Sequence, residues 1–161
     1  MNGALADTAD VEAVRRLLGR EPQAGFRVVV RDRQGAPVVI RNAPLLDDGT
    51  PMPTRYWLVD PTLLRSVGTL EADGGVDRAE AEVDPDDLEA VHARAAAERD
   101  AALPRGHTGP APSGGVGGTR TGVKCLHAHL ANLLSGADDP VGAWTVEHLG
   151  LDTSSYRREP G

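Results

Sequence analysis

The sequence predicts an α+β fold in which a small β-hairpin, extended to a short antiparallel sheet, packs against about five α-helices. Residues 26–31 place Phe26, Val28 and Val30 on one face, and a second run, Val38-Val39-Ile40-Arg41, follows, a pattern typical of paired strands. Elsewhere, apolar residues recur at helical spacing. Asp-Pro pairs at 60–61, 84–85 and 139–140 combine a capping carboxylate with a proline suited to the first helical position.

The N-terminal part of the chain begins with a helix and continues with the hairpin. Apolar spacing predicts a helix over residues 11–18, and Gly19 can end it. Gln34-Gly35 can form the turn between the hairpin strands, and residues 56–59 are predicted as a third short strand.

The remaining helices have clear starts and stops. The helix after Asp60-Pro61 should end at Asp73-Gly74-Gly75, the one after Asp84-Pro85 at Pro104, and the one after Asp139-Pro140 at Gly150. An apolar stripe over residues 123–134 predicts a further helix that ends at Gly136. We therefore expect one domain over residues 1–161, with a core of about 8–150, a Gly/Pro-rich loop over 104–121 and a frayed tail over 152–161.

Charge and composition exclude several classes of function. The net charge is −7 and aromatic residues make up 3% of the chain, so neither phosphate attraction nor base stacking supports nucleic-acid binding. The hairpin arginines, Arg27, Arg31 and Arg41, form either a local basic patch or a solvated strand face. The single cysteine, the lack of a signal peptide and the lack of a membrane-spanning apolar run predict a cytoplasmic protein without an internal disulfide.

The loop before the cysteine-bearing helix is rich in glycine. Its backbone N–H groups, at Gly114, Gly115, Gly117 and Gly118, could bind an anion, with Arg120 and Lys124 adding positive charge. The spacing matches neither the Walker A nor the dinucleotide-binding motif, and no strand precedes it. A flexible connector is the alternative interpretation.

Cys125 and His129 are the candidate catalytic residues. If the segment is helical, they are neighbours one turn apart, and His127 lies away from them at the edge of the apolar stripe. A thiol at a helix start beside Lys124 can act as a nucleophile with His129 as base. The alternative is a small buried cysteine.

The same two residues could instead bind a divalent metal. A structural zinc site needs four ligands, so Cys125 and His129 would need partners such as Asp60, His107 or His148. His148 lies near Trp144 on a predicted helix, where packing is the simpler role.

Several stretches resemble the bacterial family called domain of unknown function 501. They include residues 14–22, 43–51, 56–61 and, most specifically, 113–120 with 122–129, which reads Gly-Val-Lys-Cys-Leu-His-Ala-His. In that family the position of Asp60 is often Cys or His, so the resemblance implies a third metal-compatible residue and Asp60 departs from it. Its genes often neighbour those of a cell-division coiled-coil protein and an exopolyphosphatase-like enzyme.

The leading hypothesis is a pocket for an anionic or phosphorylated small molecule, formed by the Gly-rich loop, Arg120, Lys124, Cys125 and His129. Whether such a pocket would be catalytic stays open. The rival hypothesis is a non-catalytic interaction protein linked to cell division or the envelope, in which the loop is a connector and the histidines pack. A metal-binding domain is the third.

Overall fold

The computed structural model describes residues 5–160, which form six α-helices and one four-stranded antiparallel sheet. The predicted α+β class is therefore confirmed. The helices are α1 (Thr8–Leu18), α2 (Pro61–Ala72), α3 (Gly75–Glu82), α4 (Pro85–Asp100), α5 (Leu126–Leu134) and α6 (Pro140–Leu149). The strands are β1 (Phe26–Arg31), β2 (Pro37–Asn42), β3 (Tyr56–Leu58) and β4 (Arg157–Arg158), in the spatial order β3-β2-β1-β4. Within the described range, no helix combines the length and the apolar character needed to cross a membrane.

The β1–β2 hairpin turns where the sequence predicts. The Asp32 carboxylate accepts hydrogen bonds from the backbone N–H groups of Gln34 and Ala36 at 2.9 and 2.8 Å. Gly35 has a φ of +85°, a left-handed conformation that favours glycine. The pairing register shifts on both sides of Val30, so a bulge interrupts the regular alternation near the end of β1.

Both faces of the sheet are covered, because neighbouring residues belong to different apolar clusters, both within β2 and at the end of β3, where Val59 follows the strand. Ile40 and Val59 pack with Val14 of α1, whereas Val39 and Leu58 belong to the larger cluster formed with α2, α5 and α6. Helix α5 contacts α2, α6 and β3. It is therefore the element that joins the sheet to the helices.

All three Asp-Pro pairs start helices, as predicted. The carboxylates of Asp60, Asp84 and Asp139 accept backbone hydrogen bonds from the first turns of α2, α4 and α6 at 2.8–3.1 Å. A proline follows each cap, where its missing N–H costs no helical hydrogen bond.

Asp139 differs from the other caps because it is fully buried and also binds α5. Besides the Val141 and Gly142 N–H groups of α6, its carboxylate accepts hydrogen bonds from His129 Nδ1 and Asn132 Nδ2, each at 2.9 Å. A buried carboxylate needs such donors to replace water. It therefore holds α5 and α6 together.

Two segments differ from the sequence-based prediction. Residues 75–82 form α3, because Gly74, with a φ of +85°, turns the chain directly into a new helix instead of ending the helical region. The sequence predicts a frayed tail from Asp152, but Arg157–Arg158 pair with the edge of β1 and the Glu159 N–H donates to Val29 O at 2.8 Å. The edge of β1 supplies the hydrogen-bonding groups that a polar tail lacks on its own.

We expect Asp139→Ala to destabilise the fold far more than Asp84→Ala. The first variant leaves the buried donors of His129 and Asn132 unpaired at about 1–3 kcal/mol each and also removes the cap of α6, worth about 1 kcal/mol, so the total loss should be about 3 kcal/mol or more. The second removes an exposed cap, which costs about 1 kcal/mol. Urea unfolding followed by circular dichroism measures both free energies, and equal losses would contradict an anchoring role for Asp139.

Candidate functional site

Cys125 lies immediately before α5 and not inside its first turn. Its backbone is extended, with φ −153° and ψ 151°, and the helix begins at Leu126. The sequence-based pairing of Cys125 with His129 needs both residues within one helix. The structure brings Cys125 together with His127, whereas His129 is buried against Asp139.

A carboxylate from α2 binds the N-terminus of α5. Glu71 Oε2 accepts a hydrogen bond from the Leu126 N–H at 2.8 Å, and Glu71 Oε1 lies 3.1 Å from His127 Nδ1. This contact satisfies an N–H group that has no partner within the helix and places negative charge at the positive end of the helix dipole. As a result, Cys125 Sγ, a His127 ring nitrogen and a Glu71 carboxylate oxygen lie within 4.8 Å of one another.

His127 is strongly affected by these neighbours. Hydrogen bonding with Cys125 is the largest cause that raises the pKa of His127 from 6.5 to about 9; partial burial opposes the rise, and Glu71 adds to it. The ring is therefore protonated at neutral pH. The sulfur atom of Cys125 therefore has a cationic neighbour.

Cys125 and His127 line an open cleft of about 510 Å³. Lys124 contributes a second cationic side chain, and Gly117 brings the Gly-rich loop to the same cleft. The other lining residues are mostly apolar or aromatic and come largely from β3 and α2: Thr54, Tyr56, Trp57, Leu58, Leu64 and Ala128. The cleft thus combines apolar walls with a reactive polar group, as small-molecule sites do.

The amides of the Gly-rich loop are largely used inside the protein. The N–H groups of Gly115 and Gly118 donate to Thr119 O and Gly115 O at 2.7 and 3.0 Å. The Val116 N–H donates to His92 Nδ1 at 3.1 Å. These three groups are not available to an anion, which weakens the comparison with a phosphate-binding loop.

Two residues of α4 hold the same loop in place. The buried Arg99 guanidinium donates to Gly114 O at 2.9 Å and to Pro53 O at 3.2 Å. His92 contacts the loop so closely that a Cβ atom on Gly115 would lie 2.4 Å from the His92 Cβ. The glycines are therefore needed for close packing of the loop on α4.

The predicted site residues divide between two surfaces. Arg120 lines a groove beside α4, with Gly114 and Gly115, whereas Lys124 and Gly117 share the cleft of Cys125. The sequence suggests that Arg120 and Lys124 both lie near the Cys125 thiol. In the structure, Lys124 shares the cleft with Cys125 and Arg120 does not.

His129 and Asp60, the other two metal candidates, occupy structural positions. His129 is 1% exposed and faces Asp139, and its Nε2 atom has no hydrogen-bond partner within residues 5–160. The Asp60 carboxylate caps α2 through the Leu63 N–H. The metal-compatible cluster that contains Cys125 is formed instead by Glu71 and His127.

Sequence reasoning misses Glu71, His92 and Arg99. Glu71 has no distinguishing pattern, because its partner Leu126 is 55 residues away. For α4 there is a signal: His92 and Arg99 follow Leu88 at helical spacing and so fall on its apolar face. A polar residue on such a face must find a hydrogen-bond partner.

We expect the His127 ring to titrate with a midpoint near pH 9 in metal-free protein, because Cys125 and Glu71 stabilise its protonated form. Cys125→Ala removes the interaction that raises the pKa of His127 most, so this variant should titrate at a lower pH, with a midpoint closer to 6.5. NMR spectra of the histidine ring protons, recorded from pH 5 to 10, measure both midpoints. A midpoint that Cys125→Ala does not move would refute the interaction.

Comparison with known proteins identifies the family of this chain but does not indicate an activity. The family described as protein of unknown function (DUF501) matches residues 28–147, which include most of the hairpin, Glu71, Cys125 and His127. No curated protein and no solved structure matches the chain. Because the match covers most of its length, the chain belongs to the DUF501 family.

Proposed function

We propose that the cleft binds a small anionic molecule and that Cys125 attacks it as a thiolate. The observation that carries the proposal is the convergence of Cys125 Sγ, a His127 ring nitrogen and a Glu71 carboxylate oxygen within 4.8 Å at the wall of an open cleft. In thiol enzymes a nucleophile, a base and a residue that orients the base form such a group.

Each residue has a distinct role in this proposal. Cys125 is the nucleophile, His127 holds the proton, and Glu71 orients the ring through its contact with His127 Nδ1. Lys124 and the His127 imidazolium supply the positive charge that favours an anionic substrate. The apolar side chains of Trp57, Leu58 and Leu64 would contact its uncharged part.

The reaction class that fits these groups is acyl transfer. The Cys125 thiolate forms a bond to a carbonyl carbon, and the leaving group departs with the bonding electrons and takes the proton from His127. Water then attacks the thioester while neutral His127 accepts a proton, and the sulfur leaves as the thiolate. The cycle therefore restores the original ion pair.

Alkylation of Cys125 tests the nucleophile directly, because it is the single cysteine of the chain. We expect His127→Gln to slow alkylation by iodoacetamide at pH 7 by roughly tenfold, since the thiolate loses its cationic partner. His107→Gln is the matched control, because its ring binds Pro110 O outside the cleft. Equal rates in wild type and His127→Gln would refute an activated thiol.

The anion preference has its own test, because iodoacetate and iodoacetamide differ little beyond one negative charge. We expect the ratio of the iodoacetate rate to the iodoacetamide rate to be higher for Cys125 than for N-acetylcysteine. Lys124→Gln should lower this ratio while the iodoacetamide rate changes little. A ratio equal to that of the free amino acid would contradict an anion-selective cleft.

A metal centre is the second candidate, supported by the same three donor atoms. Sulfur, imidazole nitrogen and carboxylate oxygen are a ligand set that zinc accepts, with the cleft at its open fourth position. Elemental analysis and alkylation with and without EDTA distinguish the candidates. A bound zinc would protect Cys125 until EDTA removes it, whereas a free thiolate would react at the same rate in both conditions.

A further inference from the structure

A second surface, separate from the thiol cleft, gathers positive charge in a protein of net charge −7. A groove of about 660 Å³ lies between β1, β4 and the end of α5. Four arginines line it, and Glu159 is its only acidic lining residue within the described range: Arg27, Arg41, Arg157 and Arg158. Such a concentration is unexpected in an acidic chain.

Two of these arginines face each other across the hairpin. Arg27 of β1 and Arg41 of β2 are directly paired in the antiparallel register, so their side chains leave the same face of the sheet as close neighbours. Like charges in this arrangement destabilise a sheet. No ion pair formed within residues 5–160 involves either of them.

Arg31, two positions beyond Val29 on β1, differs from Arg27 and Arg41 because it forms ion pairs within the protein. Its guanidinium contacts Asp10 at 2.6 Å and Glu159 at 2.5 Å, so its charge is neutralised by two carboxylates. Glu159 also lies 3.9 Å from Arg157. The one acidic residue of the groove is thus already shared. Arg27 donates to the backbone oxygen of Pro160 at 3.1 Å, and neither Arg27 nor Arg41 has a carboxylate partner within residues 5–160.

The arginines supply the main polar contacts of the groove. Tyr56, Ser135 and Tyr156 also line it, but the hydroxyls of Tyr56 and Ser135 already donate to Glu98 Oε1 at 3.1 Å and to Ala131 O at 2.7 Å. Guanidinium groups bind phosphate and carboxylate through paired hydrogen bonds, and the volume lies within the range of small-molecule sites. Several guanidiniums in one groove favour a ligand with more than one anionic group.

We propose that this arginine groove binds a small multivalent anion that carries at least two phosphate or carboxylate groups. The ligand would bridge Arg27 and Arg41 and reach Arg157 or Arg158 from β4. The proposal is independent of the chemistry of Cys125, although Tyr56 lines both the groove and the cleft.

Isothermal titration with pyrophosphate and with citrate, at matched ionic strength, tests the groove, and the two probes separate a phosphate ligand from a carboxylate ligand. We expect at least one of them to bind wild type, and Arg41→Gln to weaken that binding at least tenfold. Arg65→Gln is the matched control, because Arg65 is exposed on α2 and lies outside the groove. Cys125→Ser should bind the anions as wild type does. The binding experiment therefore tests the groove separately from the thiol chemistry of the cleft.

The melting temperature of the free protein separates a ligand-binding role from a structural one. Arg41→Gln removes a like charge opposite Arg27, so its melting temperature without ligand should equal or exceed that of wild type, and Arg27→Gln serves as a second variant. Failure of both probes to bind wild type would overturn the proposal. Binding that Arg41→Gln leaves intact, or that Arg65→Gln weakens equally, would overturn it as well.

Discussion

The buried carboxylate of Asp139 is the interaction on which the rest of the structure depends. It caps α6 and at the same time accepts hydrogen bonds from His129 and Asn132 of α5. Since α5 also packs against α2 and β3, fixing it to α6 fixes the position of the site relative to the sheet. His129, which the sequence suggests as a catalytic residue, serves this anchoring contact.

At its other end α5 is held by Glu71, and this contact determines the chemistry of the cleft. Glu71 binds the Leu126 N–H and contacts His127, and the helix begins directly after Cys125. The thiol and the imidazole therefore come from one short segment, while the carboxylate comes from α2. A group assembled in this way is preorganised by the fold and needs no movement to form.

Local sequence signals predicted much of the fold. The Asp-Pro caps of α2, α4 and α6 and the hairpin turn at Gly35 depend on neighbouring residues, so they can be recognised without a structure. The start of α5, the pairing of β4 and the packing of Arg99 under the Gly-rich loop depend on partners distant in sequence. Of the residues that the sequence suggested for one pocket, Lys124, Cys125 and Gly117 line the same cleft, whereas Arg120 lines another groove and His127 lies where His129 was expected.

Thiolate absorbance at 240 nm tests the central claim most directly, because the chain has one cysteine and the Cys125→Ser variant supplies the baseline. If His127 is the cationic partner of Cys125, the thiolate absorbance at pH 7 is larger in wild type than in His127→Gln. Equal absorbance in the two proteins would contradict the account.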